Sequence, residues 1–132
     1  MKSILVVAIL LSQGALAATE SEWVPDSALA AQADAAAIKI ELPKEFGPVS
    51  AYARYYWGAA RHGHRVIDGV LVSPSIERVT GKTPPQRVNI VPADTAPGFA
   101  DGGCMLVYVE YDVEASTLTR SYCSFDPGHP SN

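Results

Sequence analysis

Residues 101–125, DGGCMLVYVEYDVEASTLTRSYCSF, constrain the fold more than any other part of the chain. They hold both cysteines and two runs rich in β-branched and aromatic residues, 105–113 and 117–125. Side chains of this kind fit the pleated surface of a strand, and two runs divided by a short break predict an antiparallel hairpin. With Val113-Glu114-Ala115-Ser116 as the loop, Asp112 pairs with Thr117, Val109 faces Arg120, Val107 faces Tyr122 and Leu106 faces Cys123. Cys104 then lies opposite Phe125 and diagonal to Cys123. Diagonal neighbours sit about 7–8 Å apart, whereas a disulfide needs Cβ atoms within about 3.5–4.5 Å. A Cys104–Cys123 bond therefore requires a bulge, or requires Cys104 to leave the ladder. Gly102 and Gly103 give the backbone the freedom to do so.

The beginning of the sequence bears on the compartment. Lys2 precedes an apolar run at 4–11, and Ala15-Leu16-Ala17 follows the break at Ser12, Gln13 and Gly14. This is the pattern of a signal peptide over residues 1–17, cut after Ala17, and the run is far short of the ~20 residues of a membrane span. The expectation is an exported protein, periplasmic or secreted, with no membrane span after cleavage. Two cysteines in such a chain are most simply one disulfide, Cys104 with Cys123. The formal net charge is −4, and one unit more negative without Lys2. An acidic surface argues against nucleic acid or anionic lipid as a partner.

Between these ends the chain reads as one domain. Residues 18–37 are rich in alanine and read as a tether or a frayed helix. Asp26 or Ser27 would cap a helix over Ser27–Ala37, but Leu29 is its one large apolar anchor. Ile38 to Leu42 alternate apolar and polar with period two, which predicts a strand ended by Pro43. Residues 50–72 predict a hairpin turning at His62-Gly63 in type I′ geometry. That register pairs Ala60 with Arg65, Trp57 with Asp68, Tyr56 with Gly69 and Tyr55 with Val70. It gives one nearly apolar face (Ala53, Tyr55, Trp57, Ala59, Val66, Val70, Val72), expected toward the core. Asp68 is the exception there and must find a partner. Arg54, Tyr56, Arg65, Ile67 and Leu71 make a second, mixed face. Residues 73–86 read as a loop, 87–91 as a short strand, 92–103 as a second loop and 126–132 as a flexible tail. The expected fold is α+β or mostly β: a single β-rich domain over 38–125 of about five antiparallel strands, with a short N-terminal helix at most.

Few constellations suggest chemistry. Cys104 beside Asp101-Gly102-Gly103 has the outline of a thiol nucleophile with backbone amides as an oxyanion site, but the compartment favours a disulfide. His62 and His64 lie two apart and would diverge at a tight turn, without a third ligand for a metal. Asp94 and Asp101 resemble ordinary turn aspartates more than a calcium loop. Phosphate loops, nucleophile elbows and zinc motifs are absent from the sequence. No cofactor is indicated.

The set Tyr52-Ala53-Arg54-Tyr55-Tyr56, 67–69, 87–91, Asp101-Gly102-Gly103-Cys104, Tyr111-Asp112 and Cys123 resembles small exported proteobacterial proteins of unknown function. The resemblance implies export and no particular activity. Export, small size, acidic charge and the missing catalytic motifs together predict a non-enzymatic domain that binds a protein or an envelope component. Arg54 and Tyr56 on the mixed face, or the 92–103 loop with Asp101, are the expected contact residues. The alternative is a small periplasmic hydrolase using His64, Asp101 or a reduced Cys104.

Overall fold

The structure is a computed structural model of the whole chain, and residues 23–76, 86–97 and 103–124 are described. One helix, α1 (Ser27–Ala37), lies against a five-stranded sheet. The strands are β1 (Ala53–Arg61), β2 (His64–Val72), β3 (Val88–Ile90), β4 (Leu106–Asp112) and β5 (Thr117–Cys123), in the spatial order β3-β1-β2-β4-β5. Both expected hairpins are present. In β1–β2 the pairs are those read from the sequence, from Tyr55 with Val70 to Ala60 with Arg65. His62 and Gly63 both take positive φ, 55° and 79°, as a type I′ turn demands.

The sheet is mixed rather than wholly antiparallel, because β3 pairs parallel to β1, Arg54 beside Val88 and Tyr56 beside Ile90. The connection explains the direction. β2 ends at Val72, beside the first residue of β1, Ala53. The chain enters β3 at that same end, so it has to run the way β1 runs. The strand expected at Ile38–Leu42 does not form; Ile38 caps α1 and irregular backbone follows. Its alternation was short enough to fit a helix end equally well, since Ile38 and Leu42 are four apart.

α1 is a docked helix rather than a tether. Asp26 caps it, its side chain accepting from the Leu29 amide at 2.8 Å. Ala30, Ala33 and Ala37 are buried. Small side chains let a helix approach a sheet closely, so an alanine stripe does the packing that leucine does elsewhere. The face it covers is the mixed one. Ala33, Ala37, Val49, Tyr52, Tyr56, Ile67, Leu71, Val107, Val109 and Tyr111 form the main core. The apolar face expected to hold the core carries a smaller cluster, Val70, Val72 and Leu106, with Tyr55, Trp57 and Tyr108 packed beside it. Alternation shows which residues share a face but not which face another element will cover.

Cys104 and Cys123 are bonded, with Cα atoms 4.7 Å apart. Both devices that the register demanded are used. Asp112 pairs with Thr117 as expected, but the pairing slips between Glu110 and Tyr111, so that Glu110 meets Arg120 and Val107, not Leu106, meets Cys123. The Thr119 hydroxyl donates to Glu110 Oε2 at 2.6 Å at this bulge. Cys104 itself sits outside the ladder in a 3-10 turn, Gly103–Met105, that begins with Gly103 at φ 56°. The Tyr52 hydroxyl donates to the Cys104 carbonyl at 2.8 Å, tying this bend to the main core.

Candidate functional site

Arg54 and Tyr56, expected on an exposed patch, are inside. Tyr56 is 0% exposed and Arg54 7%. Their environment comes from α1, which brings Asp34 over them. Arg54 Nε and Nη2 donate to Asp34 Oδ1 and Oδ2 at 2.6 and 3.2 Å, and the Tyr56 hydroxyl donates to Oδ1 at 2.6 Å. Arg54 Nη1 adds bonds to the carbonyls of Ser50 and Tyr52, both 2.9 Å. A charge is tolerated under a helix when it is paired and hydrogen-bonded; Arg54 is paired with Asp34, and each of its three nitrogens donates. Burial pushes the Tyr56 phenol far above its usual range, and the bond to Asp34 pushes the same way. Burial also raises Tyr52. The arrangement is an internal clasp between helix and sheet, not a contact surface.

The other residues singled out in the sequence are dispersed. Asp68 finds its partner in Arg61, which forms a bidentate pair with it at 2.7 and 2.6 Å and also reaches Glu110 at 3.0 Å. His64 lies at a hairpin tip, 2.8 Å from the Glu114 carboxylate, both exposed. His62 occupies the turn itself. No group of three or more His, Cys, Asp or Glu among the described residues could hold a metal ion. Cys104 has no thiol, since its sulfur is bonded to Cys123. Asp101, the signal pattern at 1–17 and the tail at 126–132 lie outside the described residues.

Two apolar hollows are lined in part by residues of β3. On one side a cavity of about 540 Å³ lies among Trp23, Val24, Trp57, Ile90, Pro92 and Asp94. On the other a hollow of about 610 Å³ runs between α1 and β3, past Ala31, Ala35, Ile38, Val88 and Ile90, with Asp34 in its wall. Among the described residues the exposed large hydrophobics are Val24 at 78%, Ile38 at 41% and Ile90 at 39%, and each lines one or other of these hollows. Trp23 forms a wall because Gly58 leaves room for it. A Cβ on Gly58 would lie 2.2 Å from the Trp23 carbonyl oxygen and 2.9 Å from its ring. The indole donates to the Ala59 carbonyl at 2.7 Å and carries Arg65 over its face at 4.8 Å. Sequence reasoning did not find this site. The 92–103 loop is an expected contact surface, but nothing in its spacing from Trp23 shows that a parallel β3 brings the two together.

No family model, no curated protein and no solved structure matches the chain. No described helix is long and apolar enough to cross a membrane.

Proposed function

We propose that the protein is an exported, non-enzymatic domain that binds a segment of another protein or of an envelope component in the apolar groove beside β3. The observation that carries this reading is the convergence of Val24, Ile38 and Ile90 on the two hollows that flank one short strand. Exposed apolar side chains scattered singly need no explanation, but a contiguous set around a concave surface marks a place of contact. The disulfide supports an oxidising compartment, in keeping with the signal pattern at 1–17. The expected contact surface moves from Arg54 and Tyr56, which are buried, to the groove, where Pro92 and Asp94 of the second expected surface belong.

Panning a displayed peptide library on the folded, oxidised protein tests the reading. Enrichment of apolar sequences is expected, with binding at least tenfold weaker to the Val24→Glu/Ile90→Glu double variant at unchanged melting temperature. Selected peptides that bind the double variant as well as the parent would place the contact elsewhere. Export is tested separately: N-terminal sequencing of the protein recovered outside the cytoplasm should begin at Ala18.

A further inference from the structure

We infer that the groove takes its ligand as an added β-strand: an extended peptide with alternating apolar side chains and basic ends, paired to the length of β1 that β3 does not accompany. The inference rests on the groove reading above and specifies the ligand and its mode of attachment.

β1 has nine residues, but β3 accompanies only Arg54 to Tyr56. The last bond of that pairing runs from the Val91 amide to the Tyr56 carbonyl, 3.0 Å. After Val91 the chain turns away through the 3-10 turn Ala93–Thr95, whose N-cap is Pro92. Arg54 and Tyr56 direct their backbone groups toward β3, as the bonds from Arg54 N to Arg87 O and from Val91 N to Tyr56 O show. By strand alternation Gly58 and Ala60 direct theirs to the same side. Beside them, among the described residues, no strand is paired.

The apolar cavity lies along this length, with Trp57 and Gly58 in its wall. Trp23 covers the helix side of the edge at Gly58, while Trp57, one residue earlier in β1, points to the opposite face. A strand laid beside Gly58 and Ala60 would therefore send alternate side chains toward one indole and then the other. This is the arrangement by which an added strand gains affinity from main-chain bonds and selectivity from pockets for alternate side chains. The outer edge of β3 is a poorer acceptor. It offers three residues, and Pro92 follows two positions beyond its end, a residue type that blunts sheet edges. Charge defines the ends of the ligand. Asp94 is the ionisable residue lining the cavity, and the chain carries a net −4, so flanking lysines are attracted and acidic flanks repelled.

The probe is a synthetic eight-residue peptide of alternating valine and threonine with a lysine at each end, titrated into the full oxidised protein. Hydrogen exchange at single amides is read by NMR, with two further versions of the probe N-methylated along one edge or the other. Strand addition predicts at least tenfold slower exchange at Gly58 and Ala60. It also predicts loss of binding with one N-methylated version and not the other, and weaker binding as salt is raised. Three results would overturn it. Both N-methylated versions binding like the parent, with Val24→Glu still abolishing binding, would leave the groove as a contact site but remove the strand. A probe that does not bind while library-selected peptides do would do the same. Slowed exchange at Gly58 and Ala60 that grows with protein concentration and no probe would assign the edge to a second copy of the chain.

Discussion

Removing the Asp34 carboxylate leaves the Arg54 guanidinium under α1 with the carbonyls of Ser50 and Tyr52 as its remaining acceptors. A buried charge stripped of its partner costs about 3–5 kcal/mol. Asp34→Ala should fall near the low end of that range in urea unfolding, because those carbonyl bonds persist. Tyr56→Phe removes one bond to the same carboxylate and should cost about 1–2 kcal/mol. The two side chains also predict a response to base. Tyr56 has its folded pKa raised above the unfolded value of about 10, by burial first and by Asp34 second. Its contribution is complete below pH 10 and is lost as the unfolded phenol ionises above it. Unfolding free energy should therefore drop by about 1.4 kcal/mol per pH unit beyond pH 10 from this group. Tyr56→Phe should flatten that slope, and a slope unchanged in the variant would mean that other groups set it. None of this network was legible in the sequence. Arg54 and Tyr56 announce a mixed face, and their acceptor lies 20 residues before the first and 22 before the second, in a segment whose alanines give little sign of docking.

At the level of elements, local chemistry was a good guide to pairing and a poor one to covering. His62-Gly63 determined the β1–β2 register because only one turn type suits those residues at that spacing. The four-residue loop at 113–116 placed Asp112 beside Thr117 correctly. The bulge beyond it was anticipated only through the reach of a disulfide. β3 runs parallel to β1 because it begins at the end of the sheet where β2 stops, a matter of position that the residue pattern does not carry. Packing at Gly58 offers a test at this scale. Gly58→Ala forces its new carbon against the Trp23 carbonyl, which lies 2.2 Å from the ideal Cβ position. Overpacking of this kind costs about 1–3 kcal/mol. Its readout should be specific as well: displaced from its bond to Ala59 and from Arg65, Trp23 should enter water and shift tryptophan emission to the red. Unshifted emission would show that the strand, rather than the 23–25 segment, gives way.

Across the whole molecule the sequence shows two hairpins, about five strands and one disulfide while leaving α+β and mostly β open, and it shows neither the parallel strand nor the groove proposed as a contact surface. The bridge closes a long enough segment to matter for stability. Cys104 and Cys123 are 19 positions apart, and in the chain-entropy view such a closure stabilises the folded state by about 3 kcal/mol. Titration of the denatured, unreduced protein should find no free thiol. Reduction should lower the urea midpoint by an amount corresponding to roughly that energy.

The same bridge makes β4 and β5 a closed ring. A protease that cuts the exposed turn at Glu114 or Ala115 opens the ring without separating its parts. The nicked protein would gain the mass of one water and migrate as one species until a reductant is added. Each strand would still hold its neighbour at the high local concentration that a tether confers. A break at this exposed turn would thus be a covalent injury with little structural consequence, and it would leave the hollows beside β3, at the other edge of the sheet, untouched.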